Sequence, residues 1–186
     1  MNYLTQIDLN ILNAVQSLHG SFLDRLMIIM SRLGSWAVPW IITAAVLLLW
    51  RGRRKHGAVI LLAMALGLLL GSGILKHIVM RERPFAHELG LFTLSDLLIP
   101  APADRYSFPS GHALTSFAAA TSIFLWNKRC GAVAFIVAAA IAFSRVYLYV
   151  HFPIDVLAGV LIGIPCAFIA RWIVDKIEHR MKTDKL

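Results

Sequence analysis

Three short stretches carry the groups that could do chemistry. Lys76 is followed after six residues by Arg83-Pro84, then comes Pro109-Ser110-Gly111-His112, and Ser144-Arg145, His151 and Asp155 close the set. Together they offer three cations, two imidazoles, two hydroxyls and a carboxylate. The chain around them is 59% hydrophobic and only 15% charged. Ionised groups beside a bilayer are costly, so their clustering points to a functional site. The mixture suits one chemistry: cations grip a phosphate, and a histidine accepts it.

Each stretch gives a physical reason for its residues. Ser110 is a good N-cap, and the free N–H groups of a helix start point at any anion placed there. Gly111 removes side-chain bulk where a phosphate must approach the backbone. His112 falls in the first turn, aimed at the same place. Asp155 stands four residues after His151, one turn away if the helix already includes His151. A carboxylate there holds the proton of one ring nitrogen and leaves the other free as a nucleophile. Arg145 ends an apolar run, where an arginine wants an anion. Lys76 and Arg83 taken alone read as head-group anchors. Pro84 stops a helix, and Pro153 suits a first helical turn.

These groups need elements to position them, and composition says which. A soluble domain carries about 25% charged residues, so this chain belongs to the membrane. Five apolar segments, near 34–51, 57–78, 111–127, 131–149 and 154–174, approach or exceed the roughly 20 residues that cross a bilayer. Backbone groups in lipid must be satisfied internally, so the expected fold is all-α, a polytopic membrane helix bundle of five to six transmembrane helices. Residues 1–33 alternate apolar and polar side chains and read as N-terminal amphipathic helices at the interface, with a sixth span through 21–33 as the alternative. Residues 34–178 form the transmembrane domain and 179–186 a basic tail. The first strongly apolar run sits too far in to read as a cleavable leader.

Stripes of small residues at a spacing of four (Ala63, Gly67, Gly71; Ala134, Ala138, Ala142; Gly159, Gly163, Ala167) predict close helix contacts. Asp155 continues the Gly159 stripe and so should face the bundle. Cys130 and Cys166 read as free thiols. The net charge of +8 could suggest nucleic acid, but eleven of the eighteen basic residues cap hydrophobic segments on one side of a five-span layout. By the positive-inside rule that side is cytoplasmic, which puts the three motifs on the extracytoplasmic face. No nucleic acid partner is expected. The partners are the lipid bilayer and a membrane lipid phosphate, and the sequence leaves the oligomeric state open.

Taken together, the motifs resemble the signature of the type 2 phosphatidic acid phosphatase superfamily. That signature is lysine, six residues, arginine-proline; proline-serine-glycine-histidine; and serine-arginine, five residues, histidine, three residues, aspartate. The resemblance runs from Lys76 to Asp155, with every position matched. It implies that His151 is the nucleophile forming a phosphohistidine, Asp155 its orienting partner and His112 the acid for the leaving oxygen. It also implies that Lys76, Arg83, Ser110, Gly111 and Arg145 clamp the phosphate without metal or cofactor. His19, His56, His77, His87 and His179 match no catalytic position, and His77 and His87 are the ones expected at a head group.

The short chain with paired amphipathic N-terminal helices is similar to small bacterial undecaprenyl-diphosphate phosphatases, some of which carry aspartate where this chain has Gly111. This implies hydrolysis of undecaprenyl diphosphate, with phosphatidylglycerophosphate or phosphatidic acid as the alternative substrate. The alternative classes are a lipid phosphotransferase and a non-catalytic lipid-binding protein.

Overall fold

In the computed structural model, which describes residues 3–86 and 93–183, the chain is a helix bundle. Two amphipathic helices, α1 (Tyr3–Gln16) and α2 (Ser21–Gly34), come first. α3 (Val38–Leu49) and α4 (Arg54–Leu68) follow, and a π-helical stretch, Leu69–Leu75, leads into α5 (Lys76–Val79). The remaining helices are α6 (Gly111–Trp126), α7 (Lys128–Tyr147) and α8 (Pro153–Thr183). Among the described residues there is no strand, only an isolated bridge between Glu82 and Tyr106.

Four helical stretches among the described residues are long and apolar enough to cross a membrane: Ser21–Leu49, Arg51–Val79, Lys128–Tyr147 and Pro153–Thr183. The first differs from the expected 34–51 because α2 runs on towards α3. Trp36 and Ala37, both at φ 55°, break that stretch. Left-handed backbone is costly for residues with a Cβ, so the chain turns sharply there. α6 has only 16 residues and sits at the centre, packed on α4, α7 and α8. The tail is helical as far as Thr183, and 184–186 lie outside the described residues, as does His87.

The small-residue stripes do what their spacing requires. All nine of those alanines and glycines are buried. A methyl group at Gly159 would sit 2.6 Å from the Ser110 carbonyl oxygen, so α8 approaches the start of α6 as closely as backbone allows. Alanines 118–120, 134, 138, 167 and 170 fill the same core with Ile60, Met64 and Ile141. Trp40, buried on α3, donates its indole N–H to the Ser116 hydroxyl at 3.0 Å, which satisfies both groups in an apolar setting.

The two ends of the bundle differ in character. At one end Lys55 pairs with Asp175 at 2.8 Å and Glu178 at 2.6 Å, and Arg53 lies over the Trp50 and Trp126 rings. At the other end α1 and α2 pack over the α7–α8 turn. Met27 of α2 is buried with Tyr147, Leu148 and Val150, and Leu12 of α1 with Val146 and Tyr149. All three sequence motifs gather at this second end.

Candidate active site

Burial is the first sign that the motif residues act together. Lys76, Arg83, Ser110, Arg145, His151 and Asp155 are all buried, although five of these six side chains are charged or can become so. Groups of that kind stay inside only when paired, hydrogen-bonded or kept for a ligand.

Lys76 owes its position to the π-helical stretch before it. A π turn shifts the phase of the residues that follow, and such turns recur at functional sites. Lys76 points inward and donates to the Asp104 carboxylate. Burial pushes the Asp104 carboxyl up, but the Lys76 ammonium and the Tyr106 N–H outweigh it and hold it below the usual carboxylate range. Asp104 is half exposed, so the outer side of this ion pair is open to solvent.

Arg83 is fixed by neutral acceptors. Its Nε donates to the Asp104 carbonyl at 2.7 Å and its Nη1 to the Val150 carbonyl at 2.8 Å. The same Nη1 lies 3.3 Å from His151 Nε2. The segment bearing Arg83 is clipped in place by Ser107, whose N–H donates to the Arg81 carbonyl at 2.7 Å. Arg145, at the end of α7, donates to the Ser31 hydroxyl of α2, and its buried Nε meets no partner. Carbonyls and hydroxyls orient these guanidiniums without neutralising them, which leaves their charge for an anion.

The α6 N-terminus shows a departure from the expected cap. Ser110 occupies the N-cap position, but its hydroxyl makes no capping bond and is buried without a partner. Its N–H instead donates to the Asp155 carbonyl at 2.9 Å, tying α6 to α8. A buried hydroxyl left unsatisfied costs about 1–3 kcal/mol. An anion beside the Gly111 backbone would recover that cost. His112 follows in the first turn. Its ring donates to the Ser31 backbone carbonyl, and its buried Nε2 is unpartnered. It lies within electrostatic reach of Arg83, Arg145 and His151.

His151 and Asp155 meet by a different route from the helical turn that their spacing suggests. α8 starts only at Pro153, so His151 belongs to the turn before it. Tyr149 at φ 58° bends that turn, and the N–H groups of Val150 and His151 both donate to the Arg145 carbonyl, at 3.2 and 3.1 Å. Asp155 Oδ2 accepts from the Phe152 N–H at 2.9 Å and stands 3.7 Å from His151 Nδ1. The ring therefore presents Nδ1 to the carboxylate and Nε2 to the cations. Burial, reinforced by Arg83 and Arg145 and opposed by Asp155, pushes the His151 imidazole down to about 4, so it is neutral at pH 7. A neutral ring is the nucleophilic form.

Four residues outside the motifs complete the arrangement. Arg81 bridges two buried carboxylates, donating at 2.9 Å to Asp155 Oδ1 and at 2.6 Å to Asp8 Oδ2. It also lies 3.9 Å from the centre of the Phe152 ring. Asp8, on α1, accepts a second bond from the Ile154 N–H at 3.1 Å. The N-terminal helix is thus wired to the His151 side through Asp8, Arg81 and Asp155. Asp104 and Ser31 are the other two, each holding a motif cation. Sequence pattern hid three of them: Asp8 looks like part of a polar helix face, and Asp104 and Ser31 like ordinary polar residues. Arg81 alone left a trace, as a third basic residue close to Lys76 and Arg83.

Among the described residues no group of three or more His, Cys, Asp or Glu side chains is placed to hold a metal ion. His19 stacks on Tyr147 and His56 on Trp126.

The family model of the PAP2 superfamily matches residues 56–178, the segment that carries all eleven motif residues. The chain belongs to that superfamily. An undecaprenyl-diphosphatase of Sulfolobus acidocaldarius is 34% identical over 166 residues, which is 86% of this chain and 77% of that protein. Among solved structures, the PAP2-type phosphatidylglycerolphosphate phosphatase of Bacillus subtilis aligns with a TM-score of 0.74 and 26% identity, covering 95% of this chain and 89% of that one. LpxE of Aquifex aeolicus aligns with a TM-score of 0.72 and 30% identity over 87% and 93%. As a PAP2 member with several helices apt to span a bilayer, the protein is a multi-pass membrane phosphatase.

Proposed function

We propose that this PAP2 phosphatase removes the terminal phosphate of a lipid diphosphate, with undecaprenyl diphosphate as its substrate, through a phosphohistidine on His151. The observation that carries the mechanism is the orientation of the His151 ring, Nδ1 towards Asp155 and Nε2 towards Arg83. Nε2 attacks the terminal phosphorus as the bond to the bridging oxygen breaks. His112 gives its proton to that leaving oxygen. Lys76, Arg83, Arg145, the Ser110 hydroxyl and the α6 N-terminus stabilise the charge on the equatorial oxygens. Water then attacks the phosphohistidine, His112 takes its proton, and inorganic phosphate leaves with His151 restored. Every one of these groups is supplied by the chain, so no metal is required.

The substrate choice is supported by the relative in Sulfolobus acidocaldarius, and the Bacillus subtilis structure keeps phosphatidylglycerophosphate as the alternative. An extracytoplasmic site is supported by charge. The basic residues of the α3–α4 turn, the α6–α7 turn and the end of α8 cap the opposite end of the bundle, where the positive-inside rule puts the cytoplasm. The division into interfacial helices at 1–33, a phosphatase domain at 34–178 and a basic tail belongs to the same reading.

The test compares kcat/KM on undecaprenyl diphosphate, phosphatidylglycerophosphate and phosphatidic acid in one detergent, following inorganic phosphate with no acceptor lipid present. The diphosphate should be preferred by at least about tenfold, a difference of about 1.4 kcal/mol in transition-state binding. Preference for phosphatidylglycerophosphate would overturn the substrate. Absence of phosphate release without an acceptor would make the protein a phosphotransferase.

A further inference from the structure

Next to His112 the structure holds a cleft of about 370 Å³, formed by Ser31, Arg32, Ser35, Trp36, Arg145 and the loop 99–102. We infer that this cleft binds the leaving group, and that Arg32 holds a second phosphate there, selecting diphosphates over monophosphates. The inference rests on the phosphohistidine reading above, because that reading makes His112 the donor to the leaving oxygen.

The direction of the reaction identifies the cleft. Attack by His151 Nε2 expels the leaving oxygen on the far side of the phosphorus, in line with the incoming bond. His112 must meet that oxygen, and its buried Nε2 is unpartnered. The leaving group therefore lies on the His112 side, where the cleft is. Its volume falls in the range of small-ligand sites, about 300–1,000 Å³.

Charge then identifies what the leaving group carries. Arg145 already lines the cleft and has a buried Nε without a partner. Arg32, on the last turn of α2, adds a second, exposed guanidinium to the same wall. An alcohol leaving from a monophosphate brings no charge to answer Arg32. A lipid monophosphate leaving from a diphosphate still carries a negative charge after His112 has protonated its bridging oxygen, and a planar guanidinium fork is a suited donor to it. Beyond them Trp36 is 91% exposed, and Leu33 and Val38 are exposed beside it. An aromatic ring with apolar neighbours at the interface is where a lipid tail would pass into the bilayer.

The bland alternative is that Arg32 is a head-group anchor, and one ratio separates the two. Full-length protein in detergent is assayed on farnesyl diphosphate and farnesyl monophosphate, which share a tail and differ only in the leaving group. Arg32→Gln should lower the ratio of kcat/KM, diphosphate over monophosphate, by about tenfold to a hundredfold, the worth of one charge-assisted hydrogen bond. Arg32→Lys should restore part of it. A ratio within about twofold of the wild type overturns the inference, whether both activities fall together or neither moves. A wild-type protein that shows no phosphohistidine on either substrate would instead sink the underlying mechanism, and this inference with it.

Discussion

Replacing Arg81 by Gln tests whether His151, the proposed nucleophile, is oriented from the N-terminal helix. Asp8 and Asp155 are each fully buried, and Arg81 is the side-chain cation that joins them. Without it, among the described residues, Asp8 keeps the Ile154 N–H at 3.1 Å, and Asp155 keeps the Phe152 N–H at 2.9 Å and the His151 ring at 3.7 Å. Removing one partner of a buried ion pair costs about 3–5 kcal/mol, so the unfolding temperature in detergent should fall sharply. The catalytic effect is separable. Asp155, freed from Arg81 Nη1, is no longer held against His151 Nδ1, and one charged hydrogen bond of about 1.5–3 kcal/mol corresponds to about 10- to 100-fold in rate.

Single-turnover formation of phosphohistidine should slow by that factor, with KM changed less than about threefold. The double variant Asp8→Asn/Arg81→Gln relieves the uncompensated charge at Asp8, so it should recover part of the stability but none of the rate. A rate within twofold of the wild type in Arg81→Gln would refute the orienting role. A loss confined to KM would make Arg81 a phosphate ligand instead.

Gly159→Ala places a methyl group 2.6 Å from the Ser110 carbonyl oxygen, and the backbone there has little room to yield. It should destabilise the protein by about 1–3 kcal/mol and lower kcat by displacing Ser110, as checked by thermal unfolding and initial rates. The His151 imidazole, pushed down to about 4 by burial, should stay neutral in a nitrogen-15 histidine titration down to about pH 5. Its folded value lies below the unfolded value of about 6.5, so its contribution to stability is complete above about pH 6.5 and is lost as pH falls towards 4. Vanadate should inhibit competitively by occupying the phosphate clamp. EDTA should leave kcat within about twofold, and a loss in EDTA that magnesium restores would end the metal-free reading.

The bundle was legible in the chain because lipid leaves few options. Apolar runs of spanning length must be helices, and small residues spaced by four must pack. The motif residues were legible because each carries a group that a membrane helix would otherwise exclude. Their mutual geometry was less so. The spacing of His151 and Asp155 suggests a helical turn, while the chain closes that distance with a left-handed Tyr149 and a turn wrapped on the Arg145 carbonyl. Ser110 reads as a helix cap, yet its hydroxyl makes no capping bond and is buried without a partner. The supporting residues were hidden for a simple reason. Asp8, Ser31 and Asp104 gain their roles only from elements far away in sequence, and a polar residue on an amphipathic helix gives no sign of which polar partner it will meet.

The central claim is that His151 carries the phosphate. Substrate labelled with phosphorus-32 at its terminal phosphate is mixed with enzyme and quenched in alkali within the first turnover. The account predicts protein-bound label that is stable to alkali and labile to acid, mapped to the peptide containing His151 and absent in His151→Ala. Label on His112, or undiminished turnover in His151→Ala, would contradict it.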